Sequence, residues 1–423
     1  MKEHIMSLNP PVDIALIGTG NRAQTQYAPL FEALRPWVRL VAVCDPVKEH
    51  AEAMADRLDV AAFTSVRELV KARPMEAALI VAPIDIHHAV SCYLMSHGIH
   101  CHVETSMCNL LMQGQEMVKT AHSNNVILRI AENFFRFPFD RIAKKIDDTG
   151  FLGEVKRLMC IHDHTGYHDN SRWIYFFGAH PTHAQSIHHT MPVIAHNEST
   201  HRRHSSETFR AHFFTFPGDK LVIDQAANIK GLLGRYPRPG YTEIDGARGT
   251  IVRQATDQSN PNRHWHATAE VRYCSDAVLD TKAAADQIFP IQHHGEDGWW
   301  LSTYVDLPTG RVEYKNPFPK PAGGEKLHET RDYYNAAIMD HIVDFAQAVR
   351  GVKPSEYTDK DALMAMMMEV GCRESSLQEG RRLALPLTGD LQSENEVRMA
   401  LHVKHGVDPM DIEAMLERAI PRP

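Results

Sequence analysis

Short, almost wholly apolar runs alternate with segments of helical spacing along the first third of the chain. Val12 to Ile17 (VDIALI) runs into glycine, and Val38 to Val43 runs into Cys44, Asp45 and Pro46. Runs of this length without a polar face predict strands buried on both sides, as in a parallel sheet. Further strands are predicted at Ala61 to Phe63, Ala77 to Ala82, His100 to Glu104 and Ile127 to Ala131. Helices are predicted after the first strand (Tyr27, Leu30, Phe31, Leu34) and at Val47 to Leu58, Val66 to Arg73, His87 to His97 and Gln113 to Asn124. That alternation reads as right-handed βαβ units.

The texture changes near Gly153. Longer extended segments follow, Val155 to His162, Thr208 to Phe216, Lys220 to Ile229, Thr250 to Arg253, Trp265 to Tyr273 and Arg311 to Tyr314, several with partial alternation and separated by glycine or proline turns. They predict a mostly antiparallel sheet. A Pro/Gly-rich crossing, Asn316 to Gly324, leads into helical patterns at Tyr333 to Arg350 and Asp359 to Glu379, and then into an amphipathic tail from Gln392.

At 423 residues, 43% hydrophobic and 23% charged, the chain is long enough for two or three domains with real cores. The net charge of −8 argues against a nucleic-acid surface as the main business. Seven cysteines without a C-x-x-C pair suit reduced thiols and a cytoplasmic setting. No apolar run approaches the roughly 18 residues of a membrane span. Histidine is the compositional outlier, with 11 of 27 falling between His162 and His212.

Gly18-x-Gly20-x-x-Ala23 lies between a predicted strand and a predicted helix, the context in which such spacing cradles a pyrophosphate. The first glycine permits the turn, the second lets the backbone approach the phosphates, and the small third residue lets the helix pack close. The helix start then offers free N–H groups and the positive dipole end. Asp45 ends the second strand, where a carboxylate accepts from a ribose 2′-hydroxyl and repels a 2′-phosphate, so NAD is expected rather than NADP. Gly18, Gly20, Asn21, Arg22 and Asp45 are the candidate contacts of this turn. Ala82, Pro83 and His87 close another strand on the same edge and line the nicotinamide side, His87 reading also as a helix-start residue.

The order of these signals resembles the Gfo/Idh/MocA family of glucose-fructose oxidoreductase and inositol dehydrogenase. IALIGTGNRA, VAVCDP, LIVAPIDIHH, GIHCHVET, AENFFRFP, GFLGEV, FGAHPTHA and the helical tail segment beginning DFAQAVRGVKPSEYTDKDA carry the likeness, from about Val12 to Pro386. The resemblance implies an α/β chain. Residues 1–135 would form an N-terminal Rossmann domain with a parallel sheet. Residues 136–331 would form a C-terminal α/β domain with a large, mostly antiparallel open sheet. Residues 332–391 would be helices returning to the first domain, and 392–423 a helical extension. It also implies an NAD-dependent oxidoreductase acting on a secondary hydroxyl of a sugar, glycoside or cyclitol, a homodimer or homotetramer, and Glu104 and Asn133 among the cofactor contacts.

The family's Glu-Lys-Pro segment reads Glu104-Thr105-Ser106 here, so the usual lysine is absent, and a threonine does not ionise usefully near neutral pH. The Asp-x-Gly-x-His-x-x-Asp cluster reads Phe176-x-Gly178-x-His180-x-x-His183, keeping only its glycine and histidine. His180 is therefore the candidate base, with His183 expected one helical turn later to orient it or take a second proton. Tyr167, Glu132, His162 and Asp163 complete the catalytic candidates.

The His180 to His183 segment also resembles an NAD-dependent glycosidase branch of the same family, which implies a redox-neutral alternative of oxidation, elimination and hydride return. A sugar-sensing, non-catalytic protein is the third reading. His162-x-His164, His180-x-x-His183 and His188-His189 have metal-ligand spacing but no third ligand, and no metal is expected. Trp299 and Trp300 offer either a sugar-stacking face or one core and one interface residue.

Overall fold

The computed structural model describes residues 7–161, 167–199, 202–227, 240–255, 267–274, 287–321 and 332–418. The chain divides into two compact units, Met1–Asn133 with Pro317–Met366 and Asp390–Pro423, and Phe134–Asn316 with Met367–Gly389.

In the first unit, strands β1 (Val12–Ile17), β2 (Val38–Cys44), β3 (Ala61–Phe63), β4 (Ala77–Ile80), β5 (His100–Val103) and β6 (Leu128–Ile130) form a parallel sheet in the order β3-β2-β1-β4-β5-β6. Val12, Ile14, Ala15 and Leu16 are fully buried, as the unbroken apolar run predicts. The strand order reverses at β1, which lies between β2 and β4, so the carboxyl ends of these strands bound the crevice where open α/β sheets take ligands.

Helices α1 (Phe31–Leu34), α2 (Lys48–Leu58), α3 (Val66–Ala72), α4 (Ile84–Ser96) and α5 (Leu111–Ser123) connect the strands. The helix expected after the glycine turn is irregular: a π-turn over Ala23–Tyr27, a 3₁₀ turn over Ala28–Leu30, and only then α1. Pro29 lacks the N–H that a continuous ladder needs, which breaks the segment.

Helix α8 (Asp332–Val349) and the first part of α9 (Asp359–Leu377) belong to this unit, His341 of α8 stacking on His102 of β5 at 4.7 Å. The extension after Asp390 forms α10 (Gln392–His405) and α11 (Ile412–Leu416). It binds the α4 and α5 helices: Leu111 N–H donates to Glu394 Oε2 at 2.5 Å, and Lys404 and His405 donate to Asp85 at 2.6 and 2.9 Å. Burial pushes the Asp85 carboxyl up, but Lys404, Asn109 and His405 together hold it below the usual carboxylate range.

The second unit is built on an eleven-stranded sheet with helices α6 (Pro138–Asp148) and α7 (Tyr167–Phe177). Its strands are β7 (Val155–Ile161), β8 (His183–Ser199), β9 (Arg202–Phe216), β10 (Lys220–Ala227), β11 (Tyr241–Gly246), β12 (Gly249–Ala255), β13 (Ala267–Tyr273), β14 (Gln287–Glu296), β15 (Trp299–Leu307), β16 (Gly310–Lys315) and β17 (Leu383–Ala384). They run in the order β16-β15-β14-β13-β12-β11-β7-β10-β9-β8-β17, with β7 and β10 parallel and the other neighbours antiparallel. The α/β class and the mostly antiparallel second sheet are as expected.

Strands β8, β14 and β15 are not apparent in the sequence. Of β14 only Ile291 is buried, so it lacks the apolar alternation that marks a strand. Trp299 and Trp300 are both core residues, 4% and 3% exposed, and neither presents a face to a sugar. A register irregularity at His294 and Gly295 accompanies this placement, Trp300 Nε1 donating to Thr303 Oγ1 at 3.0 Å and its ring stacking on Tyr314.

Gly18 has φ +89°, and a Cβ there would stand 2.4 Å from the Val81 carbonyl oxygen. Gly18→Ala is therefore expected to lower the unfolding free energy by about 2 kcal/mol or more. Denaturant unfolding of the two proteins checks this, and an unchanged midpoint would contradict the packing argument.

Candidate functional site

Asp45 ends β2 facing the glycine turn. It is 1% exposed, its Oδ2 accepting from Thr19 N–H (2.9 Å) and Thr19 Oγ1 (3.0 Å), its Oδ1 from Val47 N–H (3.0 Å). The acid thus fixes the turn as well as supplying the negative charge expected beside a ribose. Gln24 N–H bonds to the Gly20 carbonyl at 3.0 Å, so the helical segment starts at the turn and its first amides, from Gly20, Asn21 and Arg22, lie at the N-terminal end. This donor set, at the topological switch point and with a carboxylate on the neighbouring strand, fits a dinucleotide.

Glu104 follows β5 on the same edge. It is 6% exposed and takes Arg22 Nε (2.6 Å) and Tyr27 OH (2.8 Å) on Oε1, and Thr105 N–H (2.8 Å) and Oγ1 (3.2 Å) on Oε2. Burial pushes its pKa up, yet the Arg22 charge and these hydrogen bonds outweigh burial and leave it lowered. The same pairing raises Arg22 against its own burial, and burial together with Glu104 pushes the Tyr27 phenol well up. Thr105, standing where the family has lysine, is tied back onto Glu104.

His87 of α4 is 1% exposed and places its ring nitrogens 2.9 Å from the carbonyls of Ala82 and Ser106, bracing two backbone segments of this edge. Burial pushes it below the ordinary histidine value. Pro83 caps the start of α4. Tyr334 of α8 joins the cluster, with the Arg22 guanidinium 5.2 Å from its ring centroid and Asn133 Nδ2 donating to its hydroxyl at 3.4 Å. Nothing in the local sequence signals Tyr334, which is about two hundred residues from Asn133. Glu132 is 5% exposed, and its charge adds to the burial that raises the Tyr357 phenol.

In the second unit, His180 is half-buried in the connection after α7, following Gly178 at φ +59°. His183 does not lie one helical turn beyond it, because helix α7 ends at Phe177 and His183 is the first residue of β8. Pro181 between them has no N–H to continue a helix.

His183 Nδ1 lies 3.0 Å from Thr182 Oγ1 and 3.2 Å from Arg382 Nη2. Arginine can only donate, so His183 Nδ1 accepts and its Nε2 carries the hydrogen. A cavity of about 260 Å³ opens here, lined by His183, Gln185, Phe213, Thr215, Leu221 and Arg382. Tyr167 starts α7 with its ring centroid 4.0 Å from that of His168. His162 and Asp163, with His164, lie outside the described residues.

His188 and His189 cannot serve as a ligand pair, since neighbours on a strand point to opposite faces. His188 instead meets His212 across β8 and β9, Nε2 to Nε2 at 3.2 Å. Burial pushes both to about 4, with His212 adding to the effect on His188 and Arg210 to that on both.

The Glu104 pair yields a pH test. A carboxylate lowered on folding contributes stability above its unfolded value, near 4.3, and loses it as pH falls through the folded value. Glu104→Gln is expected to cost about 2 kcal/mol near neutrality, discounted for the partial exposure of Arg22, and the difference should close below about pH 4. Unfolding of both proteins across pH 3 to 8 measures it; a gap independent of pH would exclude a lowered Glu104.

Residues 12–132 match the family described as "Oxidoreductase family, NAD-binding Rossmann fold". The chain is 28% identical over 131 residues, 31% of its length and 34% of the relative's, to 2,7-anhydro-N-acetylneuraminate hydratase of Mediterraneibacter gnavus. It is 23% identical over 338 residues to a glycosyl hydrolase family 109 protein of Streptomyces coelicolor, covering 72% of this chain and 68% of that one. The chain thus spans only about a third to two fifths of the first curated relatives it matches. Among solved structures, levoglucosan dehydrogenase in complex with NADH and levoglucosan superposes with a TM-score of 0.64 at 15% identity, over 89% of this chain and 100% of that one, a likeness of fold. The glycine turn and the parallel sheet thus fall within residues 12–132, the part of this chain that matches the GFO_IDH_MocA model of NAD-binding, Rossmann-fold oxidoreductases.

Proposed function

We propose that this protein is an NAD-dependent oxidoreductase acting on a secondary hydroxyl of a sugar, glycoside or cyclitol, with histidine in place of the family's lysine as base. The observation that carries the reading is the cluster of Gly18, Asp45, Arg22, Glu104 and Asn133 at the carboxyl edge of the parallel sheet. NAD⁺, when bound, supplies the hydride acceptor. The turn from Gly18 to Arg22 holds its phosphates, Asp45 sets the preference against a 2′-phosphate, and Ala82 and Pro83 line the nicotinamide side.

Glu104 is spent on four hydrogen bonds and positions Arg22 and Tyr27, so it is not the proton acceptor. His180 takes the hydroxyl proton, an imidazole having suitable basicity near pH 7. His183 presents an N–H and serves better as a hydrogen-bond donor to substrate than as a second base. Tyr167, Glu132, His162 and Asp163 are the remaining acid and base candidates.

A redox-neutral cycle is the second reading, favoured by Thr105 in the lysine position and by relatives named as a hydratase and a glycosyl hydrolase. In it, oxidation at one sugar carbon acidifies the neighbouring C–H, a base removes that proton, a substituent leaves, water adds, and the hydride returns. The open face of the second sheet carries exposed Ile187 (57%) and Met191 (42%), which supports assembly of identical chains through that face. Among the described residues no helix is long and apolar enough to cross a membrane.

A panel of sugars, cyclitols and glycosides incubated with NAD⁺ in heavy water and read by mass spectrometry tests the reading. A product lighter by one hydrogen molecule with matching NADH is expected; a cleaved glycoside with deuterium beside the anomeric carbon and no NADH would mean the second reading, and no product at all a sensor. On the active substrate, His180→Ala is expected to lower kcat by about 10²- to 10⁴-fold with NAD⁺ affinity unchanged. Retention of full turnover would remove His180 as the base.

A further inference from the structure

One row of the second sheet breaks the rule for a buried face. Reading across the registers, Thr242 of β11 pairs with Cys160 of β7, Cys160 with Asp224 of β10, Asp224 with His212 of β9, and His212 with Ser186 of β8. All five are at most 3% exposed. Two residues away along each strand, the next row on the same face is Ile244, Leu158, Val222, Phe214 and Ala184, wholly apolar and at most 2% exposed. A polar row costs free energy in such a place unless its groups are satisfied.

Helix α7 adds Asp169, fully buried, above Cys160 and Asp224. Ligand atoms of Cys160, Asp169 and Asp224 all lie within 4.8 Å of one another. The nearest cation is already shared: Arg172 Nη1 donates to Asp169 Oδ1 at 3.0 Å and Arg172 Nε to Asp140 Oδ1 at 2.9 Å. Asp224 Oδ2, on a side chain 2% exposed, makes no hydrogen bond of good geometry, and the buried Trp173 indole N–H beside Asp224 makes none either. A thiol and two carboxylates thus meet where solvent is excluded, with one carboxylate oxygen unpartnered.

We propose that Cys160, Asp169 and Asp224 form a binding site for a divalent transition metal, zinc being the ion best suited to one sulfur and two oxygen ligands. Magnesium and calcium take oxygen ligands alone, whereas zinc accepts thiolate and carboxylate together and is content with three protein ligands and a water. Binding expels the thiol proton of Cys160 and neutralises Asp224, to which Arg172 makes no hydrogen bond. The ion ties α7 to the parallel pair β7 and β10. Since α7 ends at Phe177, one residue before the turn that leads to His180, the site holds the base of that connection in place. His162 and His164, which follow Cys160 in the sequence, lie outside the described residues.

The test is independent of any substrate. The full chain, purified without chelator, is assayed for metals by plasma mass spectrometry, then stripped and titrated with Co²⁺. One zinc per purified chain, or one cobalt per stripped chain with a thiolate-to-cobalt charge-transfer band, is expected, together with a rise in unfolding temperature on metal addition. Cys160→Ser should abolish the band and weaken binding at least about 100-fold, while Cys274→Ser, which changes an exposed thiol, should leave both intact. The site is refuted if the stripped wild type gives no charge-transfer band and no shift in unfolding temperature, or if Cys274→Ser loses the band while Cys160→Ser keeps it. If Cys160→Ser does not fold, the wild-type titration alone decides.

Discussion

There is no room for a side chain between residue 18 and the carbonyl of Val81. This contact brings the turn after β1 against the end of β4, at the point where the strand order of the parallel sheet reverses. It also places Thr19 where its amide and hydroxyl both reach Asp45 across the end of β2. Three strand ends are thereby locked in one arrangement, and the start of the following helical segment is aimed at the crevice they enclose. Glycine is needed here less for freedom in an isolated turn than for the packing of two backbones.

The second constraint on the site is electrostatic. Glu104 is buried, and a lone carboxylate there would neutralise itself by taking a proton. Arg22, Tyr27 and Thr105 prevent this, and in doing so they use up the acid's capacity. The residue is an anchor that draws Arg22 onto the ring of Tyr334 and fixes the edge on which a nicotinamide would lie. The missing lysine removes a proton carrier from this edge without loosening it, because Thr105 satisfies Glu104 in its own way.

In that unit the large sheet divides its histidines by face. His188 and His212 meet on the covered side, where burial disfavours their charged forms, while His189 points the other way. Asp169, Arg172 and Asp140 form a buried ion-pair chain beside them. Polar groups kept this deep under a sheet face demand partners, and each one found narrows what the remaining ones can be doing.

The parallel sheet, the glycine turn and the acid after β2 were all legible in the sequence. Each of these is written in local pattern: an unbroken apolar run, a fixed glycine spacing, a carboxylate at a strand end. Strand β14 was hidden, since a strand with a single buried residue leaves no alternation to read, and the adjacent Trp299 and Trp300 gave no sign that both would enter the core. Local spacing misplaced His183, because α7 ends at Phe177, before Gly178 at positive φ, and no helical period runs on to set His183 beside His180. Tertiary structure alone decided that Asp45 braces the turn, that Tyr334 joins Arg22, and that Cys160, Asp169 and Asp224 converge. Those groups come from segments far apart in the chain, and only strand register and the packing of α7 and α8 bring their polar atoms within reach.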